Sequence, residues 1–367
     1  MRIAICGGGT GGHLHPLLAL AGELASREGV EVVLYLGGKT GPPPSVSGFR
    51  TVFVRVSGFS RRPGLADLEA AGALAGAFFR CRSDMKENPP RVAVAFGGYA
   101  CLPGALAALS LRVPLVLHEQ NVVPGSANRL LAPAARAVAV SFPQTLDYAK
   151  SWTRKVVVTG NPLLRRGDGK GDPHSHFRLE RGRRTVAVIG GSQGAASLNR
   201  AVLEALPAWK DRVDLQVVHA VGRDKYQEFM ERAAKVDYGG LIYRPVDFVE
   251  RMDLLYRVAD LVVCRAGAST VSELAAAGKA AILVPYPFAT AGHQDANAEV
   301  LRAAGAAVVI PDREMNGERL VREVEALLDE EGRLEEMGRA ALGMARPDAA
   351  RSLAGLVLSL SGGGEWS

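Results

Sequence analysis

The chain has 367 residues, of which 48% are hydrophobic and 22% are charged, so it can bury a large core and its length suggests two or three domains. No run reaches the ~18 apolar residues that span a bilayer, and the first residues lack the apolar region of a secretory signal, so a membrane-spanning or secreted protein is not expected. The four cysteines form no CxxC pair, which is typical of apolar filler residues in a reducing cytoplasm.

The net charge of +6 is distributed unevenly along the chain. Residues 1–160 carry 17 Lys and Arg against 9 Asp and Glu, and residues 161–184 carry 7 against 3, whereas residues 185–367 carry 20 against 26. A basic surface attracts nucleic acid, anionic lipid or a phosphorylated substrate. The alternative is a solvated arginine-rich surface without a specific partner.

The first half of the chain alternates short apolar runs with segments of helical periodicity. Strands are predicted at residues 2–6, 32–36, 51–54, 92–96, 115–117, 137–140 and 156–158, and helices after residue 13 to about 26, at 65–83 and at 103–111. This alternation is typical of a parallel, doubly wound α/β sheet.

The second half repeats the pattern after a stretch rich in Gly, Arg, Asp, Pro and His. Strands are predicted at residues 185–189, 215–219, 241–243, 261–264, 281–284 and 307–310, and helices to about residue 208, at 318–329 and at 349–360. Each half opens with a strand that runs into a glycine-rich turn and a helix.

We therefore expect two Rossmann-like domains that face each other across a cleft, with ligands at the carboxyl ends of the strands. The predicted limits are an N-terminal domain at 1–160, a linker at 161–184 and a C-terminal domain at 185–345. The last segment, 346–367, is predicted to contain a helix that could pack back on the N-terminal domain.

Residues 265–297 contain the most informative stretch of the sequence. A buried strand at 260–264 is followed by the small residues Ala266, Gly267 and Ala268, and a helix is predicted from about Thr270 with Ser269 or Thr270 as its N-cap. A strand, a tight turn and a helix start together form an anion site, because backbone amides and the positive end of the helix dipole point to one place.

Three polar side chains extend this predicted anion site. Glu273 is expected in the first turn of the helix, where it can accept hydrogen bonds from a diol such as a ribose. Gln294 and Asn297 are three residues apart at a later helix start and can bind hydroxyl groups from one face. The set suggests a nucleotide-sugar site; the alternative is an ordinary βαβ unit with a capped helix.

The first glycine-rich turn matches the pattern Gly7-x-Gly9-x-x-Gly12 of dinucleotide-binding proteins. That interpretation requires an acidic residue at the end of the second strand, whereas Glu31 stands at its start. The turn also offers the Thr10 hydroxyl and places His13 at a helix start, where the dipole disfavours the charged imidazole, so His13 is a candidate general base. The alternative is a capping or packing histidine.

A polar cluster, His118, Glu119, Gln120 and Asn121, follows a predicted buried strand and favours a polar site over packing alone, although a hydrogen-bonded turn is the alternative. No Asp-x-Asp pair, which in many nucleotide-sugar enzymes holds a divalent ion, occurs in the sequence. We therefore expect helix starts and arginines to neutralise the diphosphate, with no metal or other cofactor.

Four segments taken together resemble the MurG family of bacterial N-acetylglucosaminyltransferases, which make the lipid-linked disaccharide precursor of peptidoglycan. They are GGTGGH at residues 8–13, HEQN at 118–121, GGSQGA at 190–195 and CRAGASTVSE at 264–273. Further matches are GGY at 97–99, GNP at 160–162 and Gln294-x-x-Asn297, in order from the first strand to about residue 310.

The resemblance implies a GT-B fold and an inverting transfer of N-acetylglucosamine from UDP-N-acetylglucosamine to the 4-hydroxyl of undecaprenyl-pyrophosphoryl-N-acetylmuramyl pentapeptide. It also implies a peripheral enzyme at the cytoplasmic face of the cell membrane, which binds anionic lipid and no nucleic acid. The alternative is a related GT-B transferase acting on another lipid such as diacylglycerol. From another class, a non-catalytic nucleotide-binding module or an oxidoreductase also stays open.

The resemblance assigns site residues by position. Those expected at the donor are Thr10, Gly11, Gly12, Asn121 and Gln294 near the transferred sugar, Ser192 at the diphosphate, Glu273 at the ribose and Val249 at the uracil, with Arg165, Gly191, Gln193, Arg265, Ala268, Ser269, Thr270, Val271, Ser272 and Asn297. Those expected on the acceptor side are His13, Tyr99 and Asn128. His13 is the first candidate for the catalytic base and Glu119 the second.

Two departures from the family pattern concern loops. Both Leu163 and Leu164 precede Arg165 and Arg166, where one residue usually separates GNP from a nucleotide-binding arginine, so either arginine could fill that role. The loop at residues 39–44 lacks the usual glycine and acidic pair, so a different shape is expected there.

A membrane-docking surface is expected in the basic N-terminal half. Its apolar centre would consist of Phe59, Phe78 and Phe79 with Tyr99, Cys101 and Leu102, surrounded by Arg61, Arg62, Arg80 and Arg82. An apolar centre within a ring of arginines suits reversible binding to anionic lipid. The alternative for Phe78 and Phe79 is that at least one of them faces the core.

Overall fold

The structure, a computed structural model, describes residues 1–8, 11–39, 41–57, 65–164, 169–191 and 194–362, with the side chains of 65–68 excepted. The chain divides into two compact units. We call Met1–Leu164 together with Arg346–Ser367 the N-terminal unit, and Arg165–Ala345 the C-terminal unit. The domain limits derived from the sequence, which include a separate linker at 161–184, remain a prediction.

The N-terminal unit contains one parallel sheet and its covering helices. Its strands are β1 Arg2–Gly8, β2 Glu31–Gly38, β3 Arg50–Arg55, β4 Val92–Ala95, β5 Leu115–Glu119, β6 Ala137–Val140 and β7 Val156–Val158. Its first helices are α1 Gly11–Ala25, α2 Leu65–Glu87, α3 Leu102–Ser110, α4 Ser126–Leu131 and α5 Thr145–Tyr148.

The C-terminal unit contains the second sheet. Its elements are α6 Pro173–Phe177, β8 Arg184–Ile189, α7 Ala196–Ala205, β9 Leu215–Ala220, α8 Tyr226–Ala233, β10 Ile242–Val246, α9 Met252–Val258, β11 Leu261–Cys264, α10 Ala268–Ala277, β12 Ala280–Leu283, α11 His293–Ala303, β13 Ala307–Val309, α12 Gly317–Asp329 and α13 Arg333–Gly343. The last helix, α14 Ala349–Ser361, belongs to the N-terminal unit.

Both sheets are parallel and doubly wound, as the alternation of apolar runs predicted. The seven strands of the N-terminal unit lie in the order β3-β2-β1-β4-β5-β6-β7, and the six of the C-terminal unit in the order β10-β9-β8-β11-β12-β13. The direction of the strand order reverses beside β1 and beside β8, and the carboxyl ends of these strands are therefore the expected ligand sites.

The strands are uninterrupted apolar runs because helices cover both faces of each sheet. In β1, for example, every residue from Ile3 to Gly8 is buried. Helix α14 packs on α1 and β4, where Leu353 and Val357 join the same buried cluster as Ile5 and Leu17. The C-terminal end of the chain thus completes the core of the N-terminal unit.

Four described helices of the C-terminal unit, α6, α8, α9 and α13, were not predicted from the sequence, and α13 shows why. Its buried residues Leu334, Met337 and Ala341 do have helical spacing, but Gly338 and Gly343 weaken the helical signal and Gly332 offers no capping side chain. Gly338 lies against the carbonyl of Gly278, where a Cβ would come within 2.6 Å of that oxygen. The contact with Gly278 therefore requires a glycine at position 338, and that glycine weakens the helical pattern of the sequence.

No helix among the described residues is long and apolar enough to cross a membrane. All four cysteines are free and buried, which confirms their predicted role as apolar filler. Burial raises the pKa of the Cys101 thiol to about 12, so this thiol stays protonated at neutral pH.

Candidate functional site

The N-terminal unit places His13 in the first turn of α1, directly beyond the carboxyl end of β1. The imidazole is half-buried, and its Nδ1 lies 2.8 Å from Oε1 of Gln120. Gly98 has a φ of +67° and packs on the other side of the ring. A Cβ at position 98 would lie 3.3 Å from His13 Nε2, so glycine keeps that edge of the imidazole open.

A line of hydrogen-bonded groups runs inward from His13. Gln120 Nε2 lies 2.9 Å from Nδ1 of His118 and 3.1 Å from the carbonyl oxygen of the same residue. On its far side, His118 Nε2 lies 3.1 Å from the carbonyl oxygen of Gly160. We call these four groups, His13, Gln120, His118 and the Gly160 carbonyl, the histidine line.

The inner part of the histidine line is out of contact with water. His118 and Gln120 are both buried, and desolvation lowers the pKa of His118 to about 4, with the hydrogen bond to Gly160 opposing that shift. His118 is therefore neutral at physiological pH and has one donor and one acceptor nitrogen.

Glu119 is engaged entirely with the protein. Its side chain is 1% exposed; Oε1 accepts from the backbone N–H of Asn121 at 2.9 Å, and Oε2 accepts from the N–H of Gly125 at 2.9 Å and from Asn128 Nδ2 at 2.7 Å. The carboxylate fixes the loop between β5 and α4 in the way a helix-capping residue fixes a turn. This geometry makes Glu119 a poor proton acceptor for a substrate.

The residues expected near the acceptor differ in exposure. Tyr99 follows the Gly97-Gly98 turn and lines a cavity of about 440 Å³ at the carboxyl ends of β1 and β2. His13, Leu36, Lys39, Phe53 and the loop residues Gly41 and Pro43 are among the other groups that line it. In contrast, Asn128 is 1% exposed and its Nδ2 bonds Glu119 and the His118 carbonyl, so it supports the loop from within.

In the C-terminal unit, α10 begins two residues earlier than predicted. Its first residue is Ala268, and Gly267 stands at the N-cap in an extended conformation without a side-chain cap. The prediction of Ser269 or Thr270 as the cap is therefore wrong, because Ala266 and Gly267 complete the turn before either residue is reached. Ala268, Ser269, Thr270, Val271 and Ser272 consequently form the first turn and the residue after it, with the Ser272 hydroxyl bonded to the Ala268 carbonyl.

Arg265 joins three loops of the C-terminal unit. Its guanidinium donates to the Val284 carbonyl at 3.0 Å, to Asp312 Oδ1 at 2.6 Å and to Ser197 Oγ at 3.0 Å. These partners follow β12, follow β13 and lie at the start of α7. The arginine thus connects the loops at the carboxyl ends of the strands, and its guanidinium donates hydrogen bonds to protein oxygens.

Gln294 and Asn297 hold one backbone residue between them. Gln294 Oε1 accepts from the N–H of Ala266 at 3.1 Å and from the N–H of Tyr286 at 2.9 Å, while Asn297 Nδ2 donates to the Ala266 carbonyl at 3.2 Å. Asn297 is fully buried and Gln294 is half-buried. The pair expected to bind hydroxyls therefore fixes the turn before α10, and only Gln294 reaches the surface.

Glu273 lies in the second turn of α10, one turn further along than the sequence suggested. Its Oε2 accepts from the hydroxyl of Tyr256 on α9 at 2.9 Å. Tyr256 is buried, so it provides a fixed donor that orients the half-buried carboxylate.

Val249 lies in the loop after β10, beside a cavity of about 500 Å³ within the C-terminal unit. The side chain of Val249 is buried, which leaves its backbone as the group that can meet a ligand. The guanidinium of Arg223 stacks 4.6 Å above the ring of Phe248 at the same cavity.

The glycine turn after β8 approaches a neighbouring loop closely. Gly191 and Gly194 have φ of +82° and +70°, and a Cβ at Gly194 would come 2.0 Å from the carbonyl oxygen of Val221. Gly11 and Gly12 are likewise exposed at the start of α1. Thr10, Ser192, Gln193, Arg165 and Arg166 lie outside the described residues, as do Phe59, Arg61 and Arg62.

Sequence reasoning did not assign a role to three residues that the structure brings into these sites. They are Gln120, Tyr256 and Asp312, which contact His13, Glu273 and Arg265 respectively. Gln120 was visible within the HEQN cluster, whereas Tyr256 and Asp312 are remote in sequence and give no local signal. Within the described ranges, no group of three or more His, Cys, Asp or Glu could hold a metal ion.

Two parallel Rossmann-like sheets with glycine turns and helix starts at their carboxyl ends form the GT-B fold, and two family models place the chain among the glycosyltransferases of that fold. The glycosyltransferase family 28 N-terminal domain matches residues 3–140, and the glycosyltransferase family 28 C-terminal domain matches residues 185–353. The chain belongs to the UDP-N-acetylglucosamine–N-acetylmuramyl-(pentapeptide) pyrophosphoryl-undecaprenol N-acetylglucosamine transferases, the MurG family, within glycosyltransferase family 28.

Relatives of that name match almost the whole chain. The protein from Methylococcus capsulatus is 40% identical over 98% of this chain and 99% of its own length, and that from Halothermothrix orenii is 35% identical over 97% and 98%. A crystal structure of Acinetobacter baumannii MurG superimposes with a TM-score of 0.74 and 29% identity, covering 98% of this chain and 99% of its own.

Proposed function

We propose that the protein transfers N-acetylglucosamine from UDP-N-acetylglucosamine to the 4-hydroxyl of undecaprenyl-pyrophosphoryl-N-acetylmuramyl pentapeptide, with inversion at the anomeric carbon. The observation that carries this proposal is the near-complete match to relatives named for this transfer, at 35–40% identity. The site geometry supports it, because a histidine edge faces a cavity in one unit and helix starts collect backbone amides in the other.

In the proposed step, His13 Nε2 takes the proton from the acceptor hydroxyl while the oxygen of that hydroxyl bonds to the anomeric carbon. The bond between that carbon and the diphosphate oxygen breaks, and UDP leaves with the electron pair. General base catalysis of this kind contributes ~10²–10⁴-fold in rate. Glu119, the second candidate from the sequence, is instead proposed to hold the loop after β5, since its oxygens already accept three hydrogen bonds from buried or backbone groups.

The C-terminal unit is proposed to bind the donor. Backbone amides at the starts of α7 and α10 would hold the diphosphate, in place of a metal ion. Glu273 would accept hydrogen bonds from the ribose, the Val249 backbone would meet uracil, and the Nε2 group of Gln294 would reach a sugar hydroxyl. Arg265 and Asn297 are proposed to act by holding the loops, because their donors contact protein oxygens.

The direct experiment is transfer of labelled N-acetylglucosamine to a short-chain analogue of the lipid acceptor, with diacylglycerol as the rival acceptor. We expect turnover with the muramyl acceptor alone, and turnover that persists in excess chelator. UDP and UDP-N-acetylglucosamine should each raise the melting temperature, whereas NADH should leave it unchanged. Preference for diacylglycerol, or stabilisation by NADH alone, would contradict the proposal.

The protein is further proposed to dock reversibly on the cytoplasmic face of the membrane, where the acceptor's polyprenyl chain resides. On α2, Phe79 is 66% exposed beside the exposed Arg80, while Phe78 packs partly on the core of the N-terminal unit. Cys101 is fully buried, so the expectation that it belongs to an exposed surface is wrong, whereas Leu102 is half-buried and packs partly on the same core. The proposed surface is therefore the α2 segment with Phe79 at its centre.

Co-sedimentation with vesicles tests the docking surface. We expect binding that needs anionic lipid and weakens at high salt, since each basic residue near such a surface contributes ~1 kcal/mol. The double variant Phe79→Ser, Arg80→Glu should lose binding, whereas Val213→Ser, which removes a 67% exposed side chain from the C-terminal unit, should bind like the parent. Equal binding by all three proteins would exclude α2 as the docking surface.

A further inference from the structure

The histidine line fixes the direction of each of its hydrogen bonds from the inner end outward. The Gly160 carbonyl oxygen can only accept, so His118 Nε2, 3.1 Å away, must carry a hydrogen. His118 is neutral, since burial lowers its pKa, and its Nδ1 is therefore an acceptor. A backbone carbonyl, which cannot reorient by itself, thus anchors the sequence of donors and acceptors.

The Gln120 amide has one orientation that satisfies its surroundings. Its Nε2 has two hydrogens and faces two acceptors, His118 Nδ1 at 2.9 Å and the His118 carbonyl at 3.1 Å. The reversed amide would place an oxygen against both acceptors and would leave buried groups unpaired, at a cost of ~1–3 kcal/mol for each group. Gln120 Oε1 must therefore face His13 as an acceptor.

The last bond follows from the first three. His13 Nδ1 lies 2.8 Å from Gln120 Oε1 and must donate to it, so the neutral imidazole has its hydrogen on Nδ1 and its lone pair on Nε2. Nε2 is the nitrogen beside Gly98, and His13 and Gly98 both line the cavity. The protein interior thus determines which nitrogen of His13 can accept a proton.

We infer that Gln120 and His118 are positioning residues that hold His13 in the Nδ1–H tautomer and thereby keep Nε2 available as the proton acceptor. This inference rests on the proposed function for its catalytic consequence, but the tautomer itself is a property of the free protein. The free imidazole of histidine prefers the opposite tautomer, with the hydrogen on Nε2. The histidine line must therefore shift the tautomer equilibrium of His13 towards the Nδ1–H form. Burial strengthens the inner bonds of the line, which join Gln120, His118 and Gly160, because water does not compete for these groups.

The experiment measures the tautomer directly. Long-range proton–nitrogen correlation spectra of protein with ¹⁵N-labelled histidine distinguish protonated from unprotonated ring nitrogens, and the His13→Ala variant identifies the His13 signals. We expect the Nδ1–H form in the parent and the Nε2–H form, or a mixture, in Gln120→Leu. An Nε2–H form in the parent, or an unchanged Nδ1–H form in Gln120→Leu, would overturn the inference.

Kinetics provide the second measurement. Gln120→Leu should lower kcat on the order of 10–100-fold, as loss of partners that orient a functional histidine does, and should leave the KM for UDP-N-acetylglucosamine within about twofold. The matched control is Ser141→Ala, which removes a buried hydrogen bond to the Glu119 carbonyl, 3.0 Å away, without touching the line. A kcat loss in the control as large as that in Gln120→Leu would overturn the inference.

A conservative variant covers the case in which Gln120→Leu does not fold. Gln120→Glu keeps an acceptor for His13 Nδ1–H, and as a neutral acid it donates its hydroxyl hydrogen to His118 Nδ1, so His13 should keep the Nδ1–H tautomer in this variant. An Nε2–H tautomer of His13 in Gln120→Glu contradicts the inference, whereas an inactive parent with the Nδ1–H tautomer contradicts only the proposed function.

Discussion

The two units each contain a buried histidine near the carboxyl end of a central strand, His118 on β5 and His219 on β9, and the two differ in where their hydrogen bonds lead. Both rings are fully buried, and desolvation lowers the pKa of His118 to about 4 and that of His219 to about 3. The His118 bonds lead through Gln120 to His13 at a cavity. The His219 bonds end inside the core, at the Tyr243 hydroxyl and at Asn199 Oδ1.

The hydrogen bonds of His219 are all made within the core, and they connect α7, β9 and β10. Asn199 on α7 donates to the Val221 carbonyl at 3.0 Å, which leaves its Oδ1 to accept from His219 Nε2, and Tyr243 on β10 then donates to Nδ1. Helix α7 is thereby tied to β9 and β10. Residue type, burial and pKa are alike for the two histidines, so these properties alone do not distinguish the network proposed to act in catalysis. The two networks differ in the residue at which each one ends.

The largest effect should come from the open end of the histidine line. His13→Ala should lower kcat by ~10²–10⁴-fold, because it removes the proton acceptor, while calorimetry should show UDP affinity near that of the parent. His219→Gln, checked for folding by circular dichroism, should retain kcat within about tenfold. A kcat loss in His219→Gln as large as in His13→Ala would break the comparison between the two networks.

In the C-terminal unit, we expect α10 rather than the His219 network to contact the ligand. Glu273→Ala should weaken binding of UDP by roughly 10- to 150-fold, since a hydrogen bond to a charged group is worth ~1.5–3 kcal/mol. Glu299→Ala on α11 is the control, because its carboxylate is exposed and paired with Arg302. Unchanged UDP affinity in Glu273→Ala would remove this carboxylate from the donor site.

His118 and His219 should both make the folded protein less stable in acid, although their hydrogen bonds lead to different groups. Below about pH 6.5 the unfolded chain protonates both rings, but the folded chain does not until about pH 4 or 3, so each contribution to stability is complete above pH 6.5 and is lost as pH falls. At pH 5 each ring should cost about 2 kcal/mol of unfolding free energy. Urea denaturation at pH 7 and pH 5 should show that loss reduced by this amount in His219→Gln, and an undiminished loss would contradict the buried neutral state.

The smallest effect tests orientation in the donor site. Tyr256→Phe removes the hydroxyl that donates to Glu273, and should weaken UDP binding by about two- to tenfold, the range expected for one ordinary hydrogen bond. Combining it with Glu273→Ala should add nothing further, because the hydroxyl acts through that carboxylate. Full additivity in the double variant would mean that Tyr256 contacts the ligand independently.

The sequence predicted the fold well because the physics of parallel sheets is local in the chain. Strands covered on both faces are continuous apolar runs, and β1 and β6 could be recognised without any partner. Elements whose burial depends on a remote contact were harder to predict. Helix α13 was not predicted because Gly338, which weakens the helical pattern, is required by its close contact with the Gly278 carbonyl and not by the helix itself.

The candidate site could be located from the sequence, but the role of each residue in it could not. Glu119, Asn128 and Asn297 carry the polar groups that a site requires, and all three are buried and bonded to the protein. Whether an amide meets a ligand or a backbone carbonyl depends on side-chain direction across distant segments, which spacing along the chain does not encode. Gln120 shows the converse, since its importance depends on a contact with His13, 107 positions away.

The return of α14 to the N-terminal unit has a consequence for biosynthesis. This helix covers α1 and β4, and it is made after the whole C-terminal unit. During translation the first sheet therefore emerges with an apolar face that its own segment, residues 1–164, does not cover. The C-terminal unit has a sheet and a core of its own, so it can complete its fold before α14 completes that of the N-terminal unit, although it is synthesised second.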